Sequence, residues 1–368
     1  MQYCTRESFI DYVCVHANEY DFAAQCVSSW HLLGLKAYIL EKIREIGFVK
    51  GVILVRCLKL DNYSIKEEDL IFDKNSDILV FFEKYHLSSS REKLKKLFEL
   101  LTFRVNQSTR VHCIELVRSQ IPDYEFACKV LLKSNSDCSL ICLDEGVGSY
   151  KSFRELFSFS WHISKKSALV FILSKILNVF LKYKINRKEE SFTLLSSTVN
   201  GILVNSRVSD AYKSVLLFQN CCEKIQLPIK YILFLTQPFE TSIDKENSDL
   251  IISTYDDIAK VYMENGYYIV VKPHPRESES TLDAYKKKGY LVIDTPGAIE
   301  SIIGRFTNMP KSVFGVHSTS LVSLNVIFGI KTTSIIYIID DRATENFKKN
   351  TVSFMKRFKD FVDFPANV

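Results

Sequence analysis

The sequence predicts two Rossmann-like, doubly wound α/β domains facing a cleft, and three observations lead there. A chain of 368 residues exceeds one ordinary core and suits two domains of about 150 to 200 residues each. Apolar runs of strand length alternate with amphipathic segments in both halves, which is the pattern of parallel βα units. Between the halves, Phe153 to Leu203 is basic, helix-favouring and poor in strand signals, so the boundary is placed within or just after it. The expected division is 1–200 for the first domain, including the basic helical segment 153–200, and 201–345 for the second, with 346–368 as a tail.

In the first half, the apolar runs near Asp11 to His16, Val52 to Cys57, Ile78 to Phe82 and Ser139 to Leu143 are predicted strands. Helices are predicted for Arg91 to Phe103 and Tyr124 to Lys133. The second half repeats the scheme with strands near Tyr231 to Thr236, Tyr268 to Val271, Leu291 to Ile293, Ser312 to Val316 and Thr333 to Ile338, and a helix over Leu321 to Phe328. In such sheets ligands bind beyond the carboxyl ends of the strands, so functional motifs are expected there.

Composition removes several function classes. Hydrophobic residues make up 47% and charged residues 25% of the chain, and the excess of 48 basic over 43 acidic residues is too small to point to nucleic acid. Ten cysteines are scattered without paired Cys-x-x-Cys knuckles, which argues against zinc. Several sit in apolar runs, as reduced thiols do, and this favours a cytoplasmic protein. The segment Met1 to Ser8 carries Arg6 and Glu7 and no apolar stretch of signal-peptide length. The longest apolar run, Ala168 to Leu181, is interrupted by Lys175 and falls short of the roughly 20 residues a membrane span needs.

Three motifs sit at predicted strand ends. Asp144-Glu145-Gly146 follows the strand Ser139 to Leu143. Adjacent carboxylates raise the cost of ionising both, which suits a general base for an attacking hydroxyl; the plainer reading is a solvated acidic turn with glycines chosen for positive φ. Lys272-Pro273-His274-Pro275-Arg276-Glu277 closes the next motif strand. Its prolines stiffen the backbone around His274 and its bases suit a phosphate leaving group, although a loop histidine between turn prolines gives the same letters. His317-Ser318-Thr319-Ser320 stands where a strand gives way to a helix. The hydroxyls there are good N-caps and also fit an anion site at the positive end of a helix. A fourth feature, Thr295-Pro296-Gly297-Ala298-Ile299-Glu300, puts Glu300 in the first turn of a predicted helix, where it either binds ribose hydroxyls or complements the dipole.

In this order the motifs resemble those of bacterial GT-B sialyltransferases, the lipooligosaccharide sialyltransferases and capsular polysialyltransferases, which carry Asp/Glu-Asp/Glu-Gly, His-Pro and Ser-Ser/Thr. Here they read Asp144-Glu145-Gly146, His274-Pro275 and Ser318-Thr319, and Ile232 to Pro238 resembles the start of that family's donor-binding domain. The resemblance implies an inverting transfer from CMP-sialic acid to a galactose-type hydroxyl of a surface glycan, with no cofactor and no essential metal. It assigns Glu145 as general base and His274 as the acid that assists CMP departure, with Asp144 beside the base. Ser318 and Thr319 would hold the phosphate, and Lys272, Pro275 and Glu300 would line the nucleotide site. It also suggests that the tail returns to the first domain.

The acceptor is expected on the first domain, with Asn18 and Tyr20 in the loop after the first predicted strand and Gly146 beside the base. The segment Lys165 to Lys188 reads either as an interfacial helix on anionic lipid, placing the protein peripherally at the inner face of the cytoplasmic membrane near lipid-linked acceptors, or as core helices with basic solvent faces. Competing functions are a GT-B transferase with another nucleotide-sugar donor, a polymerising polysialyltransferase, and a silent glycan-binding protein on the same fold; the oligomeric state is left open.

Overall fold

The computed structural model describes residues 2–58, 65, 67–85, 95, 115–119, 139–144, 168–169, 172–173, 176, 189–198, 201–218, 223–237, 248–274, 277–295, 297–316, 318–336 and 357–365. The chain divides into two units, breaking between Thr193 and Leu194.

The first unit runs β1 (Gln2–Tyr3), α1 (Arg6–His16), β2 (Phe22–Cys26), α2 (Ser29–Ile46), β3 (Val49–Leu58), β4 (Ser76–Tyr85), β5 (Glu115–Ser119), β6 (Ser139–Leu143) and β7 (Glu189–Phe192). The strands form one sheet in the order β1-β4-β3-β2-β5-β6-β7, with every pairing parallel. From β2 the chain winds outward first through β3 and β4 and then, in the other direction, through β5, β6 and β7. The order reverses between β2 and β5, the switch point at which doubly wound sheets bind ligands.

Helix α1 forms because Thr5 caps it, its Oγ1 accepting the Ser8 N–H at 3.2 Å. Phe9, Ile10 and Val13 fall on one helical face and are fully buried against Ala23, Val52, Leu54, Phe81, Leu116 and Leu140. The strand predicted at Asp11 to His16 is therefore the second half of this helix. Val13 and Val15 mimic strand alternation, but Val15 is 71% exposed. Helix α2 covers the opposite face with Leu32, Leu35, Tyr38 and Ile39, and Gly47 at φ 84° ends it. Both faces are thus covered, as a wholly parallel sheet requires.

The second unit opens with an antiparallel hairpin, β8 (Leu195–Thr198) and β9 (Gly201–Val204). It continues through α3 (Ser206–Phe218), β10 (Tyr231–Leu235), α4 (Ser248–Glu264), β11 (Tyr268–Lys272), α5 (Glu279–Lys287), β12 (Leu291–Val292), α6 (Ile299–Ile302), β13 (Val313–Gly315), α7 (Thr319–Phe328) and β14 (Thr332–Ser334). The sheet order β12-β11-β10-β13-β14, again all parallel, repeats the first unit's winding with its switch point between β10 and β13. Phe234, Tyr255 and Phe314 pack at its centre. Gly304 lies so close to α3 that a Cβ there would stand 2.2 Å from the Leu216 carbonyl oxygen, which fixes how α6 approaches that helix.

The structure bears on two further expectations. The segment expected to be helical and strand-poor contains β7 and β8, and its described remainder is confined to residues 168–169, 172–173 and 176. The described tail residues 357–365 pack within the second unit, and residues 346–356 and 366–368 of the expected tail lie outside the described residues. Phe358 and Val362 are buried, the Ser334 N–H donates to Asp363 O at 2.8 Å and the Asp363 N–H to Thr332 O at 2.9 Å. The predicted helices over Arg91 to Phe103 and Tyr124 to Lys133 lie outside the described residues, Lys95 apart. Among the described residues, no helix is long and apolar enough to cross a membrane.

A pH dependence follows from His31, buried in the first turn of α2. Burial pushes its imidazole down to about 4, against about 6.5 in an unfolded chain. Folding expels that proton between these values, so the contribution to stability is complete above pH 6.5 and is lost as pH falls toward 4. The limiting slope is about 1.4 kcal/mol per pH unit. Thermal melts from pH 7 to 4.5 should show this decline, and His31→Leu should flatten it.

Candidate active site

The carboxyl edge of the second sheet gathers most of the sequence-predicted site residues that are described. Strand β11 ends at Lys272, and the chain turns through Pro273 and His274. The Glu277 N–H donates to His274 O at 2.9 Å; Pro275 and Arg276, between them in sequence, lie outside the described residues.

The same turn is held from its side chains. The His274 N–H donates to Glu277 Oε2 at 3.0 Å and to Thr236 Oγ1 at 3.2 Å. Thr236 follows β10, is buried, and its hydroxyl donates to the same carboxylate oxygen. Glu277 thus ties the ends of β10 and β11 together and fixes the backbone from which His274 projects. Thr236 and Glu277 were not singled out as site residues from the sequence. Both are visible as letters in the motif runs, but nothing local signals that residues 41 positions apart share a hydrogen bond. Tyr255 anchors the strand below, donating its hydroxyl to Leu235 O at 2.9 Å.

Lys272 is buried, and its Nζ donates to Thr295 O at 3.1 Å and Pro273 O at 3.4 Å. Desolvation lowers its pKa below the usual lysine value, with Asp294 and Glu277 acting in the opposite sense. The structure therefore gives it a bracing duty, joining the turn after β11 to the turn after β12. Glu300 is likewise buried in the first turn of α6, and its Oε1 accepts from Ser323 Oγ on α7 at 2.7 Å. That bond ties α6 to the helix whose amino end carries the hydroxyl motif.

Ser318 is the N-cap of α7, its Oγ accepting the Ser320 N–H at 3.2 Å. Thr319 is the first helical residue, and His317 lies outside the described residues. Ser318 follows β13 and Thr236 follows β10, so the two flank the switch point of this sheet. The amino end of a ten-residue helix, hydroxyls and a rigidly held histidine turn are here on one sheet edge. Such a set can bear an anionic phosphate and offer it a proton donor.

In the first unit, Asp144 follows β6 at the carboxyl edge and is buried; Glu145 and Gly146 lie outside the described residues. Asn18 and Tyr20 take a different place from the one expected. They precede β2, in and just after a turn of 3-10 helix, and Asp21 next to them pairs its backbone with Lys50 and Glu115 at the starts of β3 and β5. They therefore stand at the amino edge of the sheet, opposite Asp144. The misread helix α1 is the cause, since it placed the loop at the wrong end of a strand. Tyr20 there bonds Tyr12, hydroxyl to hydroxyl at 2.8 Å.

The bracing of His274 can be tested directly. Glu277→Ala removes the acceptor for both the His274 N–H and the Thr236 hydroxyl and is expected to cost about 1–3 kcal/mol of stability. It should also lower turnover by about tenfold or more, while Glu277→Gln, whose amide oxygen still accepts, keeps more of both. Melting temperature and steady-state kcat of the two variants check this.

The family profile described as Alpha-2,8-polysialyltransferase (POLYST) matches residues 24–337. No curated protein matches the chain. Among solved structures, the chain is similar to the alpha/beta-galactoside alpha-2,3-sialyltransferase of the luminous marine bacterium Photobacterium phosphoreum, at 11% identity over 93% of this chain and 97% of that one, with a TM-score of 0.47. It is similar to the sialyltransferase from Photobacterium damsela at 13% identity, covering 94% and 82% of the two chains, with a TM-score of 0.47. A UDP-GlcNAc 2-epimerase from Methanocaldococcus jannaschii follows at 12% identity, covering 94% and 89%, with a TM-score of 0.42.

Proposed function

The chain belongs to the alpha-2,8-polysialyltransferase (POLYST) family, and from that premise we propose that this glycosyltransferase moves sialic acid from CMP-sialic acid to a galactose-type hydroxyl of a bacterial surface glycan. The observation that carries the reading is the family match itself, which runs from β2 to just beyond β14 and so takes in all three motifs. The strand-end positions of Asp144, His274 and Ser318 support it.

In this reading Glu145 and His274 carry the two catalytic roles. Glu145, with Asp144 beside it, removes the proton of the acceptor hydroxyl as that oxygen attacks the anomeric carbon. The bond to the CMP phosphate oxygen breaks, and His274 supplies the proton or hydrogen bond that stabilises the leaving group. Displacement in one step inverts the anomeric centre. Ser318, Thr319 and the amino end of α7 bear the phosphate charge, which gives the reaction an alternative to a metal ion. Lys272 and Glu300 act as positioning residues through the turns and helices they brace.

A second reading, polymerisation onto a growing sialic acid chain, is favoured by the description of the family profile. Product length separates the two, since single transfer gives one added sugar and polymerisation a ladder. Attachment to the inner face of the membrane, where lipid-linked acceptors reside, belongs to the same proposal and is checked by cosedimentation with anionic vesicles.

The central test is CMP release from CMP-sialic acid in the presence of EDTA over a panel of galactose-terminated and sialylated acceptors. Acceptor-dependent release should survive EDTA and fall by about 10²-fold or more in both Glu145→Ala and His274→Ala, the range expected for loss of a general base or acid. Release from a UDP-sugar and not from CMP-sialic acid would replace the donor assignment.

A further inference from the structure

One side chain in the first unit breaks the packing rule of its neighbours. On the face of the sheet covered by α1, the layer formed by Ala23, Leu116 and Leu140, with Val52, Leu54 and Phe81 beside it, is apolar. Strand alternation puts Gln25 of β2 on that same face, level with Leu54 and Phe81, and one step further toward the carboxyl edge stand Arg56 on β3, Glu83 on β4 and, past Cys142 and the end of β6, Asp144. Arg56 and Glu83 pair with each other, and Glu83 Oε1 also accepts the Arg6 N–H at 2.9 Å. Gln25 differs. It is 1% exposed, and among the described residues neither its Oε1 nor its Nε2 has a hydrogen-bond partner.

Leaving a buried amide oxygen and amide nitrogen without partners is destabilising, and an unbranched apolar residue of the same length would avoid that cost. The position is the penultimate residue of the central strand, beside the switch point between β2 and β5 and on the face that leads to Asp144. Local rules are broken at functional positions more than elsewhere. A carboxamide offers one donating and one accepting group side by side, the complement of two neighbouring hydroxyls on a sugar ring.

We propose that Gln25 is an acceptor-binding residue, its Nε2 donating to one hydroxyl and its Oε1 accepting from the adjacent hydroxyl of the acceptor sugar. This rests on the sialyltransferase reading above.

The test is Gln25→Met, compared with wild type by thermal denaturation, by CMP release without acceptor and by transfer as a function of acceptor concentration. The expected result is a melting temperature equal to or above that of wild type, unchanged acceptor-independent CMP release, and an acceptor KM raised about tenfold or more. An unchanged acceptor KM would overturn the assignment and leave Gln25 as a packing defect or the seat of a structural water. A variant that fails to fold would also overturn it, since an amide with no partners among the described residues should be replaceable by an apolar chain of equal length. Absence of CMP release by the wild-type chain would instead overturn the sialyltransferase reading, and this assignment with it.

Discussion

Parallel pairing governs both large sheets, and a strand can lie parallel to its neighbour only if the chain crosses back over a face to the same starting edge. Two results follow at once. The crossovers cover both faces, so the strands become runs of buried residues such as Tyr231 to Leu235, all five of them buried. Every strand also finishes on the same edge, so residues far apart in sequence are delivered side by side there. Thr236, His274 and Ser318 in the second unit meet that description, as do Gln25 and Asp144 in the first. Chemistry accumulates at one edge because the topology leaves the chain no other place to turn outward.

What the edge then needs is rigidity, and the second unit supplies it with groups other than those that would touch a substrate. Glu277 closes the His274 turn through backbone and side chain together. Lys272 links two successive turns from below, and Glu300 links two helices. A histidine held in this way loses little freedom when a ligand arrives, and such preorganisation is how a modest set of hydrogen bonds acquires catalytic value. Charged residues first read as nucleotide contacts are thus partly a frame for the contact residues.

Much of this was legible in the sequence, and the exceptions have physical reasons. Strands such as Ser139 to Leu143 and Tyr268 to Lys272 are runs of buried apolar residues that stand out against amphipathic surroundings. Strand β2, Phe-Ala-Ala-Gln-Cys, was missed because two alanines and a glutamine carry no strand propensity, although its central position buries all five residues. Asp11 to His16 was misread because six residues are too few to separate a period of two from one of 3.6. That single error carried Asn18 and Tyr20 to the wrong edge. The motif residues His274, Ser318 and Asp144 were found because turn prolines, glycines and helix caps leave local marks. Thr236 and Glu277 leave none, since their meaning arises only when two strands pair.

The tail bears on how this protein can be handled. Residues around Asp363 bond to β14 along its outer side, with a parallel bridge between Thr333 and Asp363, while Phe358 and Val362 sink into the body of the second unit. Without them the outermost strand of the sheet would present unpaired backbone groups beside a newly bared apolar surface, the combination that recruits other chains. A shortened version ending before Arg357 would therefore be prone to self-association even with every motif residue intact. Residues 357–365 thus serve the second unit as a guard against stickiness.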